Sequence, residues 1–222
     1  MKLKRSYGAR ELARMADPEG VSLGAELDEA IGKAEIAGGA WFIYGPSKNG
    51  KTSMAMILAK ALAKHRKVAY DSVEEGINKS LRMAVERHGL VEAGHNFVLL
   101  NREFFEDLVY RLKHSRTVRV VFIDSVQFMD LKYSEYRRLR LEFPRTLFIF
   151  ISHVKNNRGT SPDGSVATKI MRDSDVIFSV QGFKAFVTSR FGGNGEFVIS
   201  EEMAAKFYMK YRPAASQSIS TP

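Results

Sequence analysis

The segment GPSKNGKT, residues 45–52, places two glycines, two lysines and a threonine between an apolar run and a helical pattern. Its spacing satisfies G-x-x-x-x-G-K-[ST], in which glycines let backbone N–H groups curl around an anion while the following helix adds its positive dipole end. A plain strand-to-helix turn is the structural alternative. The pattern predicts a phosphate-binding loop whose contacts come from Gly45, Pro46, Ser47, Lys48, Asn49, Gly50, Lys51, Thr52 and Ser53.

Three residues are predicted to serve the phosphates and a metal. We expect Lys51 to contact the β- and γ-phosphates as a point charge, and the Thr52 hydroxyl to join a magnesium shell that keeps several waters. Asp124 ends the most apolar run, VRVVFID, at the edge where open α/β sheets bind ligands, and is the expected second magnesium ligand. A strand-end cap is its alternative role. ATP and Mg²⁺ are therefore the predicted cofactors.

Hydrolysis also needs a group that orients the attacking water. YDSVEEG, residues 70–76, follows the second apolar run, and a carboxylate there would lie near the γ-phosphate and accept a proton. Glu74 is the first candidate and Glu75 the second. The alternative is that both are solvated acids in the first turn of the next helix, where the helix dipole favours them.

Continuous apolar runs alternate with helical patterns along most of the chain. Such runs are typical of parallel strands buried on both faces, so the sequence predicts an α/β fold with a doubly wound, mostly parallel sheet. The strand candidates are Ala40–Tyr44, Val68–Tyr70, Phe97–Leu100, Val118–Ile123, Leu147–Ile151 and Val176–Val180. The helix candidates are Lys51–His65, Ile77–His88, Arg102–His114 and Tyr133–Phe143.

The two ends of the chain differ from this core. Ala185–Thr188 and Phe197–Ile199 flank FGGNG, which predicts an antiparallel hairpin at the sheet edge. Residues 1–19 are expected to form an arm with one short helix over Ser6–Ala16. We divide the chain into this arm, an ATPase core over residues 20–200, and a basic carboxyl-terminal segment over residues 201–222, whose small, polar end is expected to be disordered.

Composition favours a polyanionic partner. The formal net charge is +9, and phosphates recruit Lys and Arg through counterion release, although solubility alone is the other reading. There is no cysteine, and the five histidines show no metal-ligand pairing, so no zinc site is expected. The basic start MKLKR is not followed by an apolar run, so we expect neither export nor membrane insertion, and a cytoplasmic location.

The order of GPSKNGKT, YDSVEEG, VVFIDS, IFISHVKNNRG, SDVIFSV and VTSRFGGNGEFVI resembles the RecA-like ATPase core. It is most similar to the RadA (Sms) proteins, with replicative hexameric helicases and KaiC as relatives. The resemblance covers Gly20 to Ile199, including SLGAELDEAIG. This sequence shows neither the four-cysteine zinc module nor the protease-like domain of the RadA (Sms) proteins. What those modules confer is therefore not expected here.

The resemblance implies roles for several residues. Glu74 would be the catalytic glutamate, and Ser152 and His153, at a strand end, would sense the γ-phosphate. For His153 a structural hydrogen bond is the alternative. The Val154–Ser165 loop falls where the family has a DNA-contacting loop, with phosphate contacts expected from Lys155 and Arg158, and an inert exposed connection is the alternative.

The resemblance also implies a homo-oligomer with nucleotide at subunit interfaces. The family motif reads lysine-asparagine-arginine-phenylalanine-glycine, and this chain has Thr188, Ser189, Arg190, Phe191 and Gly192. Arg190 keeps the position expected to reach a neighbour's γ-phosphate, where a guanidinium neutralises transition-state charge. Thr188 stands where the family has lysine, so the resemblance does not imply a second cation beside Arg190 or the family's rate of ATP hydrolysis.

A second basic stretch spans Lys132–Arg145 and mixes four arginines with aromatic rings, as a surface that binds nucleic acid can. Tyr136, Leu139 and Phe143 recur at helical spacing, however, which favours burial in the core and leaves the arginines for solvent or a polyanion.

The leading hypothesis is an ATPase of the RecA-like type that acts on DNA, single-stranded or branched, in recombination, repair or replication. One alternative is a KaiC-like regulatory ATPase that switches a protein partner. A small-molecule kinase is a third reading, for which the sequence offers no arginine-rich lid.

Overall fold

One mixed sheet organises the computed structural model, which describes residues 5–15, 20–157 and 160–210. Its strands are β1 (Ala40–Tyr44), β2 (Lys67–Ser72), β3 (Phe97–Asn101), β4 (Val118–Asp124), β5 (Leu147–Ser152), β6 (Val176–Gln181), β7 (Lys184–Ser189) and β8 (Glu196–Val198). They lie in the order β3-β2-β4-β5-β1-β6-β7-β8, in which the first six strands are parallel to one another and the last two pairings, β6 with β7 and β7 with β8, are antiparallel.

Helices cover both faces of this sheet. They are α1 (Ala9–Leu12), α2 (Ala25–Ile31), α3 (Lys51–Ala63), α4 (Lys79–Arg87), α5 (Phe105–His114), α6 (Tyr133–Glu142), α7 (Ser165–Asp173) and α8 (Glu201–Lys210), with 3-10 turns at Leu90–Asn96 and Lys155–Asn157. The buried residues of α2, α3 and α4 join one hydrophobic cluster, and those of α5, α6 and α7 join the cluster on the opposite face. Among the helices of the described ranges, none has the length and hydropathy that a bilayer crossing requires.

The central strands are apolar throughout because both of their faces are covered. In β1 the side chains of Trp41 and Ile43 enter one cluster and that of Phe42 enters the other, and all three are fully buried. Successive side chains of a strand point to opposite faces of the sheet, and here helices cover both faces of the central strands. The predicted doubly wound sheet is confirmed.

The six predicted strands and the late hairpin are present, most of them extended by one residue at an end. A second hairpin was missed, because β6 and β7 also pair and are joined only by Gly182 and Phe183. The expected Ser6–Ala16 helix is shorter, at Ala9–Leu12, since none of its residues is buried, and Ala16 lies outside the described residues.

Three helices were also missed. Two of them, α2 and α7, have seven and nine residues with only a few buried positions each, and α8 buries Ala204 alone. Such short segments offer few positions over which a helical period can be recognised. The predicted core stripe on α6 is confirmed for Tyr136 and Leu139, which are buried.

The connection between β7 and β8 packs tightly against α2. Gly193 donates its backbone N–H to the carbonyl oxygen of Ile31 at 3.2 Å. A Cβ atom on Gly193 would lie 2.2 Å from the carbonyl carbon of Ile31 and 2.4 Å from the backbone nitrogen of Gly32. Both obstacles are backbone atoms, so no side-chain rotation can relieve the overlap.

Gly193→Ala should therefore lower the free energy of unfolding by about 1–3 kcal/mol, the usual cost of overpacking. Gly195→Ala is the matched control in the same connection, because its added Cβ would lie 3.7 Å from the Cα of Ala30, an ordinary contact. Urea unfolding followed by circular dichroism measures both. Equal stabilities for the two variants would contradict this account of the contact.

Candidate active site

The segment predicted to bind phosphate, residues 45–52, leaves the carboxyl end of β1 and enters α3. We call it the phosphate-binding loop after that prediction. That strand lies between β5 and β6 near the middle of the sheet, so the loop opens where the ends of neighbouring strands converge. Gly45 is needed there by close packing, because a Cβ atom on it would lie 2.0 Å from the carbonyl oxygen of Val180 in β6. Gly50 precedes the first residue of α3, Lys51.

Asn49 ties the loop to the turn between β6 and β7. Its backbone oxygen accepts from the Phe183 N–H at 2.9 Å, and its side-chain oxygen accepts from the Gly182 N–H at 2.8 Å. Its side-chain nitrogen donates to the Ser47 carbonyl at 2.9 Å. The same Phe183 residue accepts from the Ile199 N–H at 2.9 Å, so the turn also anchors the segment that leads into α8.

The Lys51 ammonium lies inside the loop. It donates to the carbonyl oxygens of Gly45 and Pro46, each at 2.9 Å, and the residue is only 9% exposed. Burial lowers the pKa of Lys51, and the nearby carboxylates of Asp124 and Glu74 oppose that change. An anionic phosphate at this place would stabilise the charged ammonium further.

Asp124 lies at the carboxyl end of β4, the strand that pairs with β2. Its carboxylate accepts a hydrogen bond of 2.5 Å from the hydroxyl of Tyr70, a fully buried residue that the sequence reasoning did not select. Burial raises the pKa of Asp124 to about 6, while the Tyr70 hydrogen bond lowers it and the charge of Glu74 raises it. The carboxyl is therefore mostly ionised at neutral pH.

Glu74 and His153, which both line the cavity, are joined by a hydrogen bond between their side chains. The Nε2 atom of His153 lies 2.8 Å from a carboxylate oxygen of Glu74, and each side chain is about one quarter exposed. The hydrogen bond from His153 lowers the pKa of Glu74, burial opposes it, and Lys51 assists. Glu74 thus stays a carboxylate at neutral pH. Glu75 is exposed and accepts a 2.8 Å hydrogen bond from Asn78 at the start of α4.

Gln127, which the sequence reasoning missed, holds the strand end that carries His153. Its side-chain oxygen accepts from the His153 backbone N–H at 3.3 Å, and its side-chain nitrogen donates to Ser152 Oγ and to the Asp163 carbonyl, each at 2.8 Å. Ser152 and His153 lead into the Val154–Ser165 loop, and Asp163 lies near its end. One amide therefore links both ends of that loop to the cavity.

These groups surround one cavity of about 510 Å³. Ten of the residues considered in the sequence analysis line it: Ser47, Lys48, Gly50, Lys51, Thr52, Ser53, Glu74, Glu75, Asp124 and His153. The other three loop residues, Gly45, Pro46 and Asn49, do not line the cavity, but their contacts hold the loop in place. Four further residues line the cavity that were not foreseen: Ser80, Ile151, Phe183 and Met203. Phe183 and Met203 give the cavity an apolar wall.

Solved structures are similar to this chain. A scan of protein-family models and a search of curated proteins find no match. The crystal structure of the RadB recombinase matches with a TM-score of 0.55 and 21% identity, covering 78% of this chain and 92% of that one. The ATPase domain of a helicase matches with a TM-score of 0.59 and 14% identity, covering 84% of this chain and 90% of that one.

The chain has the RecA-like ATPase fold. At these identities the likeness concerns the fold, so the chemistry has to be argued from the cavity itself.

Within the RecA-like fold, Arg190 lies far from the cavity of its own chain. It follows β7, whose last residue, Ser189, pairs with Val176 at the amino end of β6. Its guanidinium donates to Asp175 at 3.0 Å and is 61% exposed. The phosphate-binding loop lies at the carboxyl ends of these parallel strands, so any contact of Arg190 with a nucleotide has to be with another subunit's.

The Val154–Ser165 loop begins beside the cavity. Lys155 is exposed in a short 3-10 turn, and within the described residues its side chain has neither an ion pair nor a hydrogen bond. Arg158 lies outside the described residues. Asn157 accepts a hydrogen bond from the Ser47 backbone N–H, so this loop touches the phosphate-binding loop directly.

The available oxygen ligands fit Mg²⁺. The Thr52 hydroxyl and the Asp124 carboxylate both line the cavity, and both are hard oxygen ligands of the kind Mg²⁺ prefers. The described residues contain no cluster of three or more His, Cys, Asp or Glu that could cage a metal alone. Mg²⁺ usually binds one or two protein carboxylates together with substrate phosphates and waters.

Tyr70→Phe tests the electrostatics of this RecA-like cavity. The variant removes the hydroxyl that stabilises the Asp124 carboxylate, so the pKa of Asp124 should rise from about 6 by roughly one to two pH units, the worth of a hydrogen bond to a charged group. Carbon-13 NMR titration without nucleotide or Mg²⁺ measures it. Tyr110→Phe, on an exposed ring of α5, should leave it unchanged; an unchanged pKa in both variants would contradict the assignment.

Proposed function

We propose that this protein binds ATP with Mg²⁺ in the 510 Å³ cavity and hydrolyses it. The supporting observation is that Lys51, Asp124, Glu74 and His153, from four separate segments of the chain, converge on one space beside the phosphate-binding loop. The RecA-like fold supports the same conclusion, since a recombinase and an ATPase domain are among the solved structures that share it.

The proposed reaction is attack of water on the γ-phosphorus, which breaks the bond to the β–γ bridging oxygen, releases ADP and transfers the water proton to the Glu74 carboxylate. Glu74, ionised through its bond to His153, accepts a hydrogen bond from the water and holds it in line. Lys51 and the N–H groups at the start of α3 neutralise charge that develops on the phosphate oxygens. Thr52 and Asp124 would hold Mg²⁺, which would supply Lewis-acid stabilisation of the charge on the phosphate.

We assign His153 the role of reporting the γ-phosphate to the Val154–Ser165 loop. His153 contacts Glu74 at one end and, through Gln127, both ends of that loop at the other. Asn157 adds a direct contact with Ser47. A phosphate that competes for His153 or displaces Asn157 would therefore change the loop position, which is a two-state element of the kind that nucleotide switches use.

The proposed target of that loop is DNA, single strands being favoured, in recombination, repair or replication in the cytoplasm. The net charge of +9 and the exposed Lys155 support this target, and Arg158 is proposed as a further phosphate contact. The proposed active form is a homo-oligomer in which Arg190 contacts the nucleotide of the neighbouring subunit. Support for this comes from the distance of Arg190 from its own cavity.

The decisive experiment compares ATP hydrolysis with and without single-stranded oligonucleotide at low salt. We expect phosphate release that depends on Mg²⁺ and is stimulated by the oligonucleotide. Hydrolysis without stimulation, together with oligonucleotide binding too weak to measure, would remove DNA from the proposal and favour a regulatory ATPase with a protein partner.

Two substitutions separate binding from turnover. Lys51→Ala should weaken ATP binding about 10- to 100-fold, because it removes a charged contact worth about 1.5–3 kcal/mol. Glu74→Gln should bind ATP within about threefold of the parent and lose about 10²- to 10⁴-fold in turnover, the usual share of a general base. Fluorescent-nucleotide anisotropy and phosphate release measure the two quantities.

Glu75→Gln is the matched control for that pair, because the two acids are neighbours and both line the cavity. Its turnover should stay close to that of the parent. If Glu74→Gln hydrolyses ATP at the parental rate while Glu75→Gln does not, the water-orienting role belongs to Glu75.

Arg190→Ala should abolish hydrolysis by assemblies while leaving ATP affinity unchanged, since its partner Asp175 forms only an exposed pair worth about 0–1 kcal/mol to folding. Mixing Arg190→Ala with Lys51→Ala should restore part of the activity, because some interfaces then combine an intact loop with an intact arginine. Phosphate release across a series of mixing ratios measures this. Absence of recovery at every ratio would rule out a shared site.

A further inference from the structure

The amino edge of the sheet carries a basic groove that the proposed reaction does not use. It has a volume of about 280 Å³ and is formed where α5 leads into β4 and where α6 leads into β5. We call it the amino-edge groove and define it by its cations: Lys113, Arg116, Arg119 and Arg145. The phosphate-binding loop and the Val154–Ser165 loop both lie at the opposite, carboxyl edge.

A local irregularity of β4 frees Arg119 for the groove. Lys67 of β2 pairs with Val118, but the next residue, Val68, pairs with Val120, so Arg119 is an extra residue in β4. The pairing of β4 with β5 starts only at Val120. A bulge of this kind re-aims a side chain, and here it places a half-exposed arginine at the end of a strand that is otherwise buried.

The groove has more positive charge than its own acid can balance. Glu142 also lines it, but that carboxylate is already bound by Lys113 at 2.9 Å and by Arg138 at 2.7 Å. In residues 5–15, 20–157 and 160–210, no ion pair or hydrogen bond is made by the side chains of Arg116, Arg119 and Arg145. Three guanidinium groups therefore lie on one short edge without a partner in that part of the chain.

The arrangement of these arginines suits a regularly spaced polyanion. Arg119 belongs to β4, Arg116 precedes β4 and Arg145 precedes β5. Because these two strands are neighbours about 4.8 Å apart, the three arginines lie together at the amino ends of adjacent strands. Arginine forks bind phosphate oxygens in pairs. Within the described part of the chain, Phe143 is the one aromatic residue that lines the groove, so the groove suits contacts with the phosphates of a nucleic acid better than stacking on its bases.

We propose that the amino-edge groove is a second DNA-binding surface, which binds the backbone phosphates of a single strand through Arg116, Arg119 and Arg145. The proposal rests on the proposed DNA-dependent function and extends it to a site remote from the nucleotide. The six residues of β5 separate this groove from the Val154–Ser165 loop by about 20 Å. A strand that contacts both would run from one edge of the subunit to the other.

The test uses the salt dependence of binding to a labelled oligothymidylate, measured by anisotropy over about 50–200 mM KCl. Arg116→Gln/Arg145→Gln should reduce the slope of log Kd against log salt by about 1.4, or about 0.7 for each lost contact with single-stranded DNA, and adding Arg119→Gln should reduce it by about 0.7 more. The matched control is Arg82→Gln/Arg87→Gln on α4, which removes the same charge from exposed arginines on the other face of the sheet.

Each outcome decides a separate point. A smaller slope in the groove variant and not in the control supports the groove, provided that ATP hydrolysis without DNA equals that of the parent. Equal slopes in both double variants, or no change in either, overturn the groove and leave the proposed ATPase in place. A parent that fails to bind the oligonucleotide at the lowest salt overturns both the groove and the DNA target, and an acidic protein partner then becomes the occupant to test.

Discussion

The double contact that Asn49 makes with the Gly182–Phe183 turn is the constraint on which the cavity depends. It fixes the middle of the phosphate-binding loop to the end of a neighbouring strand, through one backbone and one side-chain hydrogen bond. The same turn holds the start of α8 through Phe183, so the floor of the cavity and its apolar wall share one support. A shift of this turn would therefore move both the loop and Met203 together.

Charge is balanced in the cavity by groups that come from different strands. Asp124 and Glu74 are both partly shielded from water, and the Tyr70 hydroxyl, the Lys51 ammonium and His153 each stabilise an ionised carboxylate there. The ionisation of any one of these groups depends on the others, because burial weakens solvent screening. The cavity is in this respect a single electrostatic unit rather than a set of independent side chains.

The sequence predicted which residues meet at the cavity where those residues belong to a local pattern. The phosphate-binding loop, Asp124 and Glu74 each belong to a short pattern next to an apolar run, and the continuous runs predicted buried parallel strands. Tyr70 and Gln127 were beyond reach, because each matters through a partner more than 20 positions away in the chain. No local pattern marks such a partner until the strand order is known.

The same limit explains the other misses. Phe183 reaches the cavity only because β6 and β7 form a tight hairpin, and a two-residue connection containing phenylalanine lacks the usual pair of turn residues. The bulge at Arg119 depends on how β4 registers with β2, which the residues of β4 alone do not determine. Weakly amphipathic helices such as α8 are stabilised by what they cover, so their own sequence indicates them poorly.

The placement of Arg190 and the phosphate-binding loop at opposite edges of one sheet has a consequence for assembly. Subunits that share a site in this way must stack head to tail, which gives the stack a direction. An open stack leaves one loop at its end without an arginine and one arginine without a loop, whereas a closed ring leaves neither. The fraction of competent sites would then grow with the length of the stack, and growth itself would act as a form of activation.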